Sequence, residues 1–287
     1  MRLLFPFRKK EETEKMGENV AIGQLGNTFP RNSAHVKIDG IGLFRLDLQA
    51  VKTKRDDLFQ DGQFSVFDML SGLAENGSID LKHHFDENLN TYVIESINGK
   101  QNWWYVAYYD GGWPEKNVFR MDHFPYKDKM HITLYQSSAT DIKKIHENFT
   151  TETQSRQANK CVMVQNVLIR GKRDRITFEN VEVRPHNTRN DVFRDGVITA
   201  LDVILSLADE KKLTYGLKWR ESLGAARVVK SFWVEKINDE QSYETCGFVY
   251  EEGFRAFRYG RGNHIHLPSD VRIINSPEYM EWFWICL

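Results

Sequence analysis

Two side-chain patterns in this chain have the spacing of a chemical site. His264-Ile265-His266 sets two imidazoles on one face of an extended segment, a geometry that can chelate a divalent metal. A third ligand is not fixed by the sequence, although His123, His131, Asp270 and the His83-His84 pair are candidates. The plainer reading of a His-x-His pair is a polar rim. Just upstream, Arg258-Tyr259-Gly260-Arg261-Gly262-Asn263 carries two guanidinium groups on a glycine-rich loop that can take a phosphate or carboxylate. A solvated turn is the simpler account. A nucleophile elbow, a phosphate loop and a His-Glu-x-x-His helix are all missing from the sequence. The expectation is therefore a protein without catalytic residues or a resident cofactor. A metal-dependent enzyme using His264 and His266 is the last-ranked alternative.

A third pattern is aromatic. The stretch 97-INGKQNWWYVAYYDGGW-113 reads as a strand followed by a glycine turn. With a period of two, Trp104, Val106 and Tyr108 share the face expected to meet a helix. Trp103, Tyr105, Ala107 and Tyr109 then share the open face. An open face with Trp103, Tyr105 and Tyr109, with Trp113 on the adjoining loop, marks a contact surface for another repeat, a protein partner or a stacked ligand.

The elements that position these residues occur twice. Segments 57-DLFQDGQFSVFDMLSGLAE-75 and 191-DVFRDGVITALDVILSLAD-209 align without a gap, seven of nineteen positions being identical. The pairing extends upstream to 35-HVKIDG-40 with 166-NVLIRG-171. Downstream it takes in 94-IESIN-98 with 234-VEKIN-238, 104-WYV-106 with 247-GFV-249, and 130-MHITLY-135 with 270-DVRIIN-275. Each block predicts a helix opening at a hydroxyl cap, Ser65 or Thr199, with an apolar stripe of Val66, Met69, Leu70 and Leu73 or Leu201, Ile204, Leu205 and Ala208. Alternating segments on either side predict strands at 81–85, 92–97, 103–109 and 131–135, and at 215–219, 228–237, 245–251 and 271–274. Two strands, a helix and then further strands describe an α+β fold in which a mixed sheet packs on one helix, used twice in tandem.

This pattern resembles the β-grasp domain at the carboxy terminus of transcobalamin and intrinsic factor and its bacterial and archaeal surface-protein relatives. The residues that carry the resemblance are Ser65-Val66, Asp68 and Leu70, then Ile97-Asn98-Gly99, Trp103-Trp104-Tyr105-Val106, and Asp128 with Ile132-Thr133-Leu134-Tyr135. The second half keeps the helix but has Asn238-Asp239 where Asn-Gly is expected, and lacks the tryptophan pair. The resemblance implies a cobalamin-like ligand as an alternative to a partner-binding role. In that family a separate helical domain holds most of the ligand, and this chain shows no such domain.

The division expected is a tail at 1–34, repeat 1 at 35–136, a polar linker at 137–161 with at most a short helix at 141–148, repeat 2 at 162–276, and an apolar tail at 277–287. That last tail, with Trp282 and Trp284, reads as a further contact surface. The 287 residues carry a net charge of −1 with 41% hydrophobic and 28% charged residues, a soluble globular balance that disfavours nucleic acid as a partner. No run is long enough to span a bilayer, and Leu3–Phe7 is too short for a signal core; Arg8, Lys9 and Lys10 leave peripheral membrane association as an alternative. Cys161, Cys246 and Cys286 are far apart and odd in number, neither a disulfide framework nor a zinc or iron–sulfur spacing, which predicts a cytoplasmic, reducing setting, with an extracytoplasmic or membrane-associated one as alternative. The functional expectation is an accessory, non-catalytic binding or assembly subunit that meets a protein partner through its aromatic face and tail.

Overall fold

The computed structural model describes residues 33–109, 119–222, 228–255 and 268–286. Its first half opens with a hairpin of β1 (Ser33–Ile38) and β2 (Gly42–Asp47), then α1 (Val66–Glu75). A second hairpin, β3 (Leu81–Asp86) and β4 (Thr91–Ile97), precedes β5 (Trp103–Tyr109) and β6 (Met130–Gln136). Strand β6 lies parallel to β1 and antiparallel to β5, which gives a sheet of order β2-β1-β6-β5. Helix α2 (Ala139–Asn159) leads into β7 (Val162–Arg170), β8 (Arg175–Val183), α3 (Ala200–Asp209), β9 (Tyr215–Arg220), β10 (Ser231–Ile237), β11 (Glu240–Gln241), β12 (Cys246–Gly253) and β13 (Tyr279–Cys286). Here the order is β8-β7-β13-β12, again with first and last strands parallel, beside a smaller sheet β11-β10-β9. The fold is mixed α+β with four small sheets.

Local chemistry explains the helix starts. The Ser65 hydroxyl accepts from Asp68 N at 3.2 Å while the Asp68 carboxylate accepts from Ser65 N at 2.7 Å. Thr199 and Asp202 repeat this reciprocal cap, with Thr199 N donating to Asp202 at 2.6 Å. Behind each cap the apolar stripe is buried, with Ala208 at the end of the second stripe only partly so. The Ile-Asn pairs also correspond: Asn98 and Asn238 have φ of 48° and 50°, and their side chains accept from Asp80 N and Thr214 N.

Five expectations are corrected. The segment read as a polar linker is a 21-residue helix, capped by Ser138 and anchored by Ile145, Phe149 and Glu152, one inward residue per turn. The segment read as an apolar tail contains β13, which takes the central place in its sheet that β6 takes in the other. Val36 pairs with Ile132 as Val167 pairs with Met280, so β6 corresponds to β13 and not to 270–275. Residues 271–274 form no strand; Ala200 N bonds to Arg272 O as Val66 N bonds to Phe124 O, so they match the approach to β6. Finally, Cys246 and Cys286 are joined in a disulfide across β12 and β13, and Cys161 is the free thiol.

The two halves meet about an approximate two-fold axis. Phe59 and Phe193, equivalent in the aligned blocks, form an antiparallel bridge with ring centroids 5.6 Å apart. Gln60 N donates to Val192 O and Arg194 N to Leu58 O, both at 2.9 Å, so each half offers the same patch to the other. No helix among the described residues is long and apolar enough to cross a membrane.

Candidate functional site

The site is built on an Arg-x-Asp-x-Phe unit that occurs once in each half, Arg55-Asp56-Asp57-Leu58-Phe59 and Arg189-Asn190-Asp191-Val192-Phe193. Arg55 forks onto Asp57 through Nε and Nη2 at 2.7 and 2.8 Å, and its Nη1 donates to buried Asp122 at 2.7 Å. Arg189 does the same with Asp191 at 2.8 and 2.9 Å and with Asp270 at 3.0 Å. Each guanidinium also backs a half-exposed ring, Arg55 behind Phe85 at 5.4 Å and Arg189 behind Trp219 at 5.3 Å. Both arginines are buried, so the paired carboxylates carry the compensation that a buried cation demands. Burial pushes the Asp57 carboxyl up, but the Arg55 hydrogen bonds and charge outweigh it and hold the group below its usual range.

Around Arg55 the two halves interlock. Asn90, in the β3–β4 turn, accepts from Arg55 Nη2 at 3.3 Å and donates to Asn275 Oδ1 of the second half at 3.4 Å. Asn275 donates in turn to His123 Nδ1 at 3.3 Å and accepts from Arg156 of α2 at 3.2 Å. His123 is buried, and burial together with Arg55, Arg120 and Arg272 drives its imidazole well below the ordinary histidine range, so it is neutral. Lys127, which corresponds to Asn275, crosses the other way and donates to Val229 O at 2.6 Å and Ser231 Oγ at 2.9 Å. Its ammonium is enclosed although the residue as a whole is only half-buried, and burial lowers it to about 7.

Of these residues, Arg55, Asn90, Asn275 and Arg156 line an open groove of about 660 Å³ between the halves. Helix α2 walls one side with Thr153, Arg156 and Lys160; Phe85 and Glu87 stand on the β3–β4 side, and Asp195 with Val197 on the second half. The volume falls within the roughly 300–1,000 Å³ of small-molecule sites.

Among the described residues, none of those singled out from the sequence as contacts lines this groove. Trp103 and Tyr105 are buried in the first core, with Trp103 Nε1 donating to Lys100 O at 2.7 Å and Tyr105 Oη to Phe119 O at 3.1 Å. The open aromatic face is thus corrected: the Trp103–Tyr105–Ala107 face is interior, and Trp104 on the other side packs beside Phe149 of α2. Tyr109 ends β5, and its side chain lies outside the described residues, as do Trp113, Arg258, Arg261, His264 and His266. Trp282 is buried in the second core beside Tyr250, and half-buried Trp284 packs on Phe248. Of the further metal-ligand candidates, Asp270 is engaged by Arg189, His84 pairs with Glu95, and His131 stacks on Tyr108. Among the described residues no three His, Cys, Asp or Glu side chains cluster as a metal site.

The two arginines are legible in the sequence. Extending the aligned blocks two residues upstream places Arg55 opposite Arg189 at the same separation as Asp57 and Asp191. Asn90 and Asn275 left no such trace, because a groove between halves is assembled from loops distant in sequence. No family model matches the chain, and neither the curated proteins nor the solved structures contain a significant match to it.

Proposed function

We propose that this chain is a non-catalytic binding protein, built from two β-grasp-like units in tandem, that holds a small ligand in the groove between them. The tandem reading is supported by the strand order, since in each half the first and last strands lie parallel at the centre with a helix between the opening hairpin and the rest. The observation that carries the binding reading is the groove floor. Arg55, Asn90 and Asn275 come from both halves, and their polar atoms are oriented by one another and by buried His123 before any ligand arrives.

A non-catalytic role is supported by how the ionisable groups are used. Asp57 and Asp122 are held by Arg55, and neutral His123 faces Asn275 with one nitrogen and Asn90 O and Arg55 with the other. Neither imidazole nitrogen is left to exchange a proton with a substrate. Trp103, Tyr105 and Trp282, expected to meet a partner, sit in the cores, so binding is assigned to the groove instead. The Cys246–Cys286 disulfide favours an extracytoplasmic setting over the cytoplasmic one.

The test is native mass spectrometry of the full chain purified gently from its own cells, beside the variant Thr153→Trp, which fills the groove from α2. A small bound mass in the parent that is absent from the variant is the expected result. A mass retained by Thr153→Trp, or a bare parent that no small-molecule fraction of those cells stabilises against heat, overturns the reading.

A further inference from the structure

The charges left over in the groove have a pattern that selects a ligand class. Arg55 and Asp57 satisfy each other, so they add no net demand. Four charged side chains remain. Arg156 and Lys160 stand one helical turn apart at the end of α2, and Arg156 spends a hydrogen bond only on the neutral amide of Asn275. Glu87 and Asp195 stand on the β3–β4 turn and on the second half. Neither cation forms an ion pair with either acid or with any other described residue. Burial and the nearby Arg120 both act against the charge of Arg156, a situation that a bound carboxylate would relieve. Phe85 is 40% exposed at the groove and held from behind by Arg55, with Val197, Ile198 and Ile273 completing an apolar strip.

We propose that the groove takes an amphipathic zwitterion, an amino acid with an apolar side chain. Its carboxylate would meet Arg156 and Lys160, its ammonium Glu87 and Asp195, and its apolar part Phe85. This rests on the groove being the binding site. A ligand carrying one charge would answer one pair of side chains and leave the other unanswered, whereas a dipolar ligand answers both.

Three probes that share a phenyl body separate the possibilities by isothermal titration against the full chain: L-phenylalanine, 3-phenylpropionate and phenethylamine. Phenylalanine should bind, and each single-charge probe should bind at least about tenfold more weakly. Lys160→Gln and the double change Glu87→Gln with Asp195→Asn should each cost about tenfold for phenylalanine. All three positions are exposed, and unchanged melting of the variants confirms that the fold is intact. Equal or tighter binding of 3-phenylpropionate or phenethylamine overturns the zwitterion while leaving the groove as the site. No binding by any probe, with Thr153→Trp still abolishing the native bound mass, overturns the ligand class alone. No binding by any probe, with the native mass retained in Thr153→Trp, overturns both.

Discussion

At the scale of single residues, the molecule depends on two buried arginines that were not conspicuous in the sequence. Removing one partner of a buried pair leaves an uncompensated charge, at a cost of about 3–5 kcal/mol. Arg55→Ala would strand Asp122, and Arg189→Ala would strand Asp270, both wholly buried. Each variant should therefore lose stability of that order in denaturant melts, and Arg→Lys should recover only part, because an ammonium lacks the fork that grips Asp57 and Asp191. A loss below about 1 kcal/mol would mean that these pairs are marginal to the fold. A repeated acid such as Asp57/Asp191 is legible as an identity; that it marks the outer partner of a buried arginine becomes legible only when that arginine is aligned as well.

Two further residues set a pH dependence whose signs oppose. Burial raises Glu252 from 4.5 to about 7, with Arg272 acting against the rise. Between those values the folded chain binds the proton that the unfolded chain has released, so this group's contribution to stability falls as pH rises from about 4.5 to about 7. Lys127 is lowered from 10.5 to about 7, so over that interval the unfolded chain holds the extra proton and stability rises with pH. Glu252→Gln should therefore remove a decline below pH 7, and Lys127→Met a gain above it, in urea midpoints measured across pH 4–10. Parallel curves for parent and variants would show that neither group titrates where its burial places it.

At the scale of elements, α2 and β13 are the two that the sequence concealed, for different physical reasons. Helix α2 buries only Ile145, Phe149 and Glu152, with Ile142 partly covered, so its polar majority reads as solvent-facing linker. Its fixed position comes from tertiary contacts: the buried Arg120–Glu152 pair and Arg120 lying 4.2 Å from the Phe149 ring. Strand β13 was hidden by spacing, because β6 and β13 lie further apart along the chain than the two helices do, and a search at the helix offset falls short of it. Its hydrophobicity marked burial correctly; its partner strands could not be read from it. The helices, by contrast, were legible from their caps and stripes, since both signals are local. The disulfide ties β13 to β12 across 40 residues of sequence, and closing a loop of that size is worth about 2–4 kcal/mol. Reduction, or Cys246→Ser with Cys286→Ser, should lower stability by that amount, whereas Cys161→Ser should change the midpoint little. An unchanged melt after reduction would show that the sheet holds β13 without the bond.

At the scale of the whole molecule, two halves of matching strand order that meet about an approximate two-fold axis put equivalent residues face to face, and Phe59 against Phe193 is the centre of that contact. Both rings are buried, so Phe59→Ala and Phe193→Ala should each cost about 3–5 kcal/mol by transfer and cavity terms. The double variant is the informative one. If the rings chiefly pack on each other, deleting the second removes a contact already lost, and the double variant should fall short of the sum by about 0.5–1.5 kcal/mol. Additivity within about 0.5 kcal/mol would instead mean that each ring belongs to its own core and that the halves are held by the crossing residues Lys127 and Asn275. The distinction bears on the groove, whose floor is made by that crossing on one side. A molecule joined mainly through its phenylalanine pair can let Asn90 and Asn275 adjust to a ligand; one joined mainly through Lys127 and Asn275 has a groove as rigid as its interface.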